Sequence, residues 1–233
     1  RRLTNLGIEF GPSRAFPQDF GVDLGARQHQ CDRPRHEWRG ANQRGPDVAD
    51  RIQVTHLHAL ALTIYFRSGW RGRIATDDDL ADIWEEVWQD RSLGVLPIPH
   101  EALREEYERV VDPNGAVDEE AYLTTVRTGR QRLTREQRRQ VWAVFQVFQR
   151  GLYKRRLLTF EGAIHQARLV VEHGNFATYR HVLVDEVQDF SLEALRLIRA
   201  LSSIQDGRPD PLCLVGDGHQ RIHRGKIPLS RAG

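Results

Sequence analysis

Two short segments in the last quarter of this sequence carry the side chains best suited to chemistry: Asp185-Glu186-Val187-Gln188-Asp189, and Gly216-Asp217 followed by Gln220. Two adjacent carboxylates suit a hard divalent cation, one holding magnesium directly or through water while the next is aimed at a water to be activated. Phosphoryl transfer needs that pairing. Gln188 and Gln220 are neutral amides that both donate and accept, so they can sense a phosphate oxygen or orient water without adding charge. A single Asp in such a place is more often solvated or caps the next helix. The four fixed residues of D-E-x-Q-D, however, arise by chance on the order of once in a thousand chains of this length, and a Gly-Asp-x-x-Gln follows them.

These residues need a scaffold, and the flanking pattern supplies one. Val182, Leu183 and Val184 form a continuous apolar run, the mark of a strand covered on both faces. Ser191 then serves as an N-cap with Phe190 and Leu195 placed as a hydrophobic staple, which predicts a helix through about Ser203. Leu212-Cys213-Leu214-Val215 is a second buried strand by the same pattern. Strand, helix and strand over this length make a βαβ unit with parallel strands and a right-handed crossover. Both acidic tips, Asp185-Glu186 and Asp217, then fall on one carboxyl edge of the sheet, where open α/β folds bind ligands.

Upstream the pattern is mostly helical. Ile52 and Val54 alternate as in a short strand, and Leu57, Leu60, Ala61, Ile64 and Tyr65 follow at helical spacing until Ser68-Gly69. Thr76 is an N-cap with Asp77, Asp78 and Asp79 in the first turn, leading into Leu80, Ile83, Trp84, Val87 and Trp88 on one face. That tryptophan pair reads as core rather than as a platform for bases. Residues 99–110 and 118–127 read as shorter polar helices around the turn Asp112-Pro113-Asn114-Gly115. Thr134 and Gln137 form a capping box for a helix presenting Val141, Trp142, Val144, Phe145, Phe148 and Leu152. Its basic leader, Arg127, Arg130, Arg132, Arg135, Arg138 and Arg139, reads as a solvated face in preference to a phosphate contact. A further helix spans Phe160 to Glu172 and ends at Gly174. Residues 1–50 are rich in Gly and Pro and carry no periodic apolar face, so loop or disorder is expected there.

Composition narrows the function classes. Lys+Arg 34 against Asp+Glu 32 gives a net charge of +2, which excludes nucleic-acid binding by bulk charge and makes any such contact local. No apolar run approaches the roughly 18 residues of a membrane span, and no basic-then-apolar leader is visible, so no membrane association is expected. Cys31 and Cys213 have no metal-type spacing, which fits a reducing compartment and a cytoplasmic location. The sequence has no methionine and starts at Arg1, from which a piece of a longer chain is expected.

Taken together, the motifs resemble those of the UvrD-like superfamily 1 DNA helicases. Val184-Asp185-Glu186-Val187-Gln188-Asp189-Phe190-Ser191 is similar to their second helicase motif, a Walker B variant, and Leu214-Val215-Gly216-Asp217-Gly218-His219-Gln220-Arg221-Ile222 to their third. Thr55-His56-Leu57-His58-Ala59-Leu60 is similar to the family's segment that touches the single strand. The resemblance implies ATP and Mg2+ as cofactors. It also implies single-stranded DNA or single/double-strand junctions as partners, and a motor coupling ATP hydrolysis to translocation and strand separation. Asp185 would help hold the nucleotide's magnesium and Glu186 would polarise the attacking water. Gln188 and Gln220 would lie near the terminal phosphate, with Asp217 supporting that loop. Thr55 and His56 would contact DNA, and His223 stands where the family usually has a tyrosine, a position from which histidine can still stack on a base.

The implied fold is α/β, an incomplete RecA-like (P-loop NTPase-type) parallel sheet with a helical insertion. Residues 51–70 and 179–233 would form the partial ATPase domain, residues 71–178 the insertion, and residues 1–50 a poorly ordered remnant. The family's glycine-rich loop G-x-x-x-x-G-K-[ST], whose backbone N–H groups cradle phosphates, is missing: neither Lys154 nor Lys226 fits it. The arginine-bearing second motor half is not found either. The chain is therefore expected to be inactive alone, its partners including the missing parts of its own motor. Two other readings stay open: a free-standing nucleic-acid-binding or regulatory module without ATPase activity, and an unrelated metal-dependent hydrolase using Asp185, Glu186 and Asp189.

Overall fold

The computed structural model describes residues 52–127, 130–202 and 210–217. Gln220, His223 and the stretch 1–50 lie outside the described residues. From Thr55 onward the described residues belong to one compact unit, built from seven α-helices and two small parallel sheets. The helices are α1 (Leu57–Arg67), α2 (Asp77–Gln89), α3 (His100–Glu106), α4 (Glu119–Thr124), α5 (Arg135–Lys154), α6 (Phe160–Glu172) and α7 (Leu192–Leu201). The strands are β1 (Arg73–Ile74), β2 (Leu157–Leu158), β3 (Val182–Val184) and β4 (Leu212–Leu214).

Two hydrophobic clusters organise these elements. The first gathers Ile83, Trp84 and Val87 of α2, Leu103 of α3, Tyr122 of α4 and the apolar face of α5. Trp84 stacks on Phe148 with ring centroids 4.1 Å apart and is buried, so the core reading of that tryptophan holds. Thr76 and Asp79 form the box that starts α2, and Thr134 and Gln137 the one that starts α5. Each satisfies backbone N–H groups that a helix start otherwise leaves without partners. Strand β1 pairs with β2 in parallel, Arg73 beside Leu157 and Ile74 beside Leu158, so the chain enters and leaves this helical body at adjacent points. The second cluster joins α1, α6 and α7 through Leu60, Ile64, Ile164, Ala167, Ala194 and Leu197.

Four expectations are corrected. Ile52 and Val54 form no strand and are 63% and 92% exposed, because two alternating apolar residues without a partner strand have no ladder to join. Strands β3 and β4 are parallel with Val182↔Leu212, Leu183↔Cys213 and Val184↔Leu214 in register, but they are not covered on both faces. Leu183 is 80% exposed and its neighbour Cys213 is exposed too; the side-chain alternation of a strand puts both on the same face, and no described element covers it. The segment 99–110 is α-helical only over His100–Glu106 and is not polar throughout: α3 runs into a π turn (Tyr107–Val111) and then a 3-10 turn (Asp112–Asn114), burying Leu103, Tyr107, Val110 and Val111.

The arginine leader is a solvated face only in part: Arg132, Arg135 and Arg139 are exposed, whereas Arg127, Arg130 and Arg138 turn inward. Arg127 and Arg130 both pair with Glu106, which is fully buried and also accepts from the Tyr122 hydroxyl at 3.0 Å. Arg138 donates to the carbonyls of Tyr122, Leu123 and Thr125, which close the end of α4. Burying a carboxylate is costly unless it is paired and hydrogen-bonded, and this composition of two arginines and a phenol meets that condition. Among the described residues no helix is long and apolar enough to cross a membrane.

Candidate functional site

The segment after β3 departs from a regular ladder at the residues that matter. The Val215 N–H donates to the Val184 carbonyl at 2.8 Å, and the Val215 carbonyl accepts from the Val187 N–H at 3.0 Å. In a parallel ladder the second bond comes from the residue two positions beyond the first, which would be Glu186. Here it comes one residue later, so Asp185-Glu186 forms a bulge, a device that re-aims side chains beside functional sites. Glu186 takes the left-handed conformation, φ 54 and ψ 39, at a cost on the order of 1 kcal/mol for a residue with a Cβ. Both carboxylates of the bulge are exposed.

Neighbouring groups hold the bulge in place. Asp185 Oδ1 accepts the Glu186 N–H at 2.9 Å. Gln188 is buried, with 7% exposure; its Nε2 donates to Glu186 Oε2 at 2.5 Å and its Oε1 accepts the Asp217 N–H at 3.0 Å. One amide therefore clasps the glutamate of the first acidic segment to the backbone of the second. This needs close approach at Gly216, where a Cβ would run into Gln188 Oε1 and Val187 Cγ1. A 3-10 turn over Val187–Asp189 then delivers the chain to Ser191, whose Oγ accepts the Ala194 N–H at the start of α7 and donates to Glu161 Oε2 at 2.6 Å.

Asp185, Glu186, Gln188 and Asp217 thus gather at the carboxyl edge of β3 and β4, as the βαβ reading expects. Thr55 and His56 stand at the start of α1, both exposed, with His56 as N-cap residue. Two contacts lead from there toward the acidic edge: the His58 ring meets Phe160 edge-on with centroids 5.4 Å apart, and the next residue, Glu161, accepts from the Ser191 hydroxyl. Sequence reasoning missed Gly216 and Glu161 as supports of the edge. A glycine directly before the strand-end aspartate was the available signal for the first; the second depends on a partner 30 positions away and left none.

The donor set is all oxygen and carboxylate, which suits magnesium. Among the described residues no three His, Cys, Asp or Glu side chains group to hold a metal ion. One carboxylate with the remaining positions left to water and phosphate is the usual way magnesium is bound.

The sequence profile of the UvrD/REP helicase N-terminal domain matches residues 46–225. A second similarity is to DNA helicase IV of Escherichia coli (strain K12), 41% identical over 66 residues, which cover 28% of this chain and 9% of that protein. The matched stretch is thus a small part of that relative's length, while the profile takes in every element from α1 to β4 and both acidic segments. The chain belongs to the UvrD/REP helicase N-terminal domain family.

Proposed function

We propose that this chain is the part of an ATP-dependent DNA helicase motor that carries the hydrolytic edge of a RecA-like ATPase domain. The observation that carries the proposal is the bulged Asp185-Glu186 pair on a parallel strand, clasped through Gln188 to Asp217 on the next. In this reading β3, α7 and β4 belong to the partial ATPase domain (51–70 and 179–233), and the helical body lies within the insertion (71–178).

Asp185 would hold a magnesium ion shared with the phosphates of ATP, and Glu186 would orient and polarise the attacking water. Bound there, magnesium would neutralise charge that develops on the phosphate oxygens. Gln188 has both ends of its amide occupied within the protein, which suits a role in setting the Glu186 carboxylate and reporting its position to the Asp217 strand. Gln220 remains the proposed partner of the terminal phosphate, with Thr55, His56 and His223 proposed to touch single-stranded DNA. Coupling of hydrolysis to translocation and strand separation follows from the family resemblance.

The magnesium dependence of ATP turnover tests the assignment, in a protein joining this sequence to a phosphate-binding loop and a second motor half. Asp185→Asn should raise the magnesium concentration needed for half-maximal turnover, whereas Gln188→Leu should lower turnover at saturating magnesium. An unchanged magnesium requirement in Asp185→Asn would remove Asp185 from the metal. The 233-residue chain alone, which contains no G-x-x-x-x-G-K-[ST] sequence, should show no turnover.

A further inference from the structure

We infer that Glu193 is a positioning residue that ties the acidic segment Asp185–Asp189 to the turn Asp112–Gly115 of the helical body, so that the two shift together. Glu193 is fully buried at the second position of α7, four residues after Asp189. Its Oε2 lies 2.9 Å from His165 Nδ1 and accepts from Arg168 Nε at 2.9 Å, both on α6; its Oε1 accepts from Arg196 Nη1 at 2.6 Å. Arg196 Nη1 continues to the carbonyl of Asn114 at 3.3 Å. Gly115, in the left-handed region with φ 61, lies directly against the Glu193 side chain, where a Cβ would meet Cγ, Cδ and Oε1. The turn has a second anchorage, since Asp112 Oδ1 accepts from Oγ1 of Thr159, the N-cap residue of α6, at 3.0 Å.

The physical consequence is a stiff connection. A buried carboxylate cannot give up its cationic donors without leaving uncompensated charge in a low-dielectric site. The start of α7 therefore cannot slide away from α6 or from the turn independently. The acidic segment feeds straight into that helix start through Ser191, itself bonded to Glu161 on α6. Displacement of the Asp185–Asp189 segment is thus carried to the helical body by way of Glu193, Arg196 and the Asn114 carbonyl. The linkage is a property of the fold and stands whether or not the edge binds a nucleotide.

Amide hydrogen exchange on the full 233-residue chain, comparing Arg196→Ala, Gly115→Ala and the double variant, tests it. Arg196→Ala removes the bridge from a partly exposed position, while Gly115→Ala presses on Glu193 from the turn. Each single substitution should speed exchange of the amides from Glu186 to Ser191 by about fivefold, the lower end of typical coupling energies. The interiors of α2 and α5 should be unchanged. The double variant should show less than the product of the two single effects, since both act through one residue. Unchanged exchange at 186–191, fully multiplicative effects, or equal loosening of α2 and α5 would each overturn the inference. If Gly115→Ala fails to fold, the pair Arg196→Ala and Glu193→Gln gives the same comparison.

Discussion

Gln188 donates from its amide to the Glu186 carboxylate at 2.5 Å, and it does so from a buried position while the carboxylate it restrains is exposed. That relationship makes the glutamine a support for the glutamate. Gln188→Leu keeps the volume but leaves the Asp217 N–H without its acceptor and Glu186 without its tether. A loss of about 1–3 kcal/mol is expected, measured by urea unfolding. Gln188→Glu should be at least as damaging, because it sets a second carboxylate against Glu186.

Gly216 is required by crowding. Gly216→Ala places a methyl group on Gln188 Oε1 and the Val187 side chain, so either the amide turns away or β4 shifts. The expected cost is about 1–3 kcal/mol, read from the same unfolding curves. Gly94 has nothing near its missing Cβ but takes φ 65 and ψ −151, a region essentially reserved for glycine, so Gly94→Ala should cost about 1–3 kcal/mol by backbone strain alone, with no steric part.

The Glu106 pocket should respond as a buried ion network. Glu106→Ala removes the carboxylate that pairs with Arg127, one of the two that pair with Arg130, and the acceptor of the Tyr122 hydroxyl; a loss of about 3–5 kcal/mol is expected. Tryptophan fluorescence during denaturation reads it directly, because Trp142 stacks on Tyr122 with ring centroids 5.7 Å apart. Arg139→Ala breaks only exposed pairs with Glu119 and Glu136 and should cost less than about 1 kcal/mol.

Glu193 should shape the acid limb of stability. Burial alone would raise its pKa, but the hydrogen bond and charge of His165, together with Arg196 and Arg168, hold it at about 2 against an ordinary value of 4.5. A carboxylate depressed in the folded state adds stability that is complete above the unfolded value and disappears as pH falls toward the folded one. Denaturation midpoints should therefore drop between pH 4.5 and about 2. In Glu193→Gln, destabilised at neutral pH, that part of the slope should flatten.

Local signals carried most of what the sequence made legible. The boxes Thr76/Asp79 and Thr134/Gln137 lie within one turn of the helices they start, and the apolar stripe of α5 repeats inside a single element. The β3–α7–β4 unit was legible because the apolar runs, the cap Ser191 and the strand-end acids agree with one another. What stayed hidden depends on distant partners. Strands β1 and β2 are two residues each and pair across the whole helical body, too short for any period to register. The exposure of Leu183 and Cys213 depends on what covers the sheet, which a run of apolar residues does not specify. Arg127 and Arg130 look like a solvated charge run until Glu106 is found beneath them. The Glu186 bulge likewise becomes visible only through the bonds to Val215.

The most direct test of the nucleotide reading separates binding from hydrolysis at one residue. In a protein carrying this sequence together with a phosphate-binding loop and second motor half, Glu186→Gln should cut DNA-stimulated ATP hydrolysis by roughly a thousandfold, within the range for a lost general base. ATP affinity should stay within a few-fold of the parent. Hydrolysis that persists in Glu186→Gln, or affinity that collapses with it, would contradict the role given to the bulged glutamate and with it the hydrolytic site.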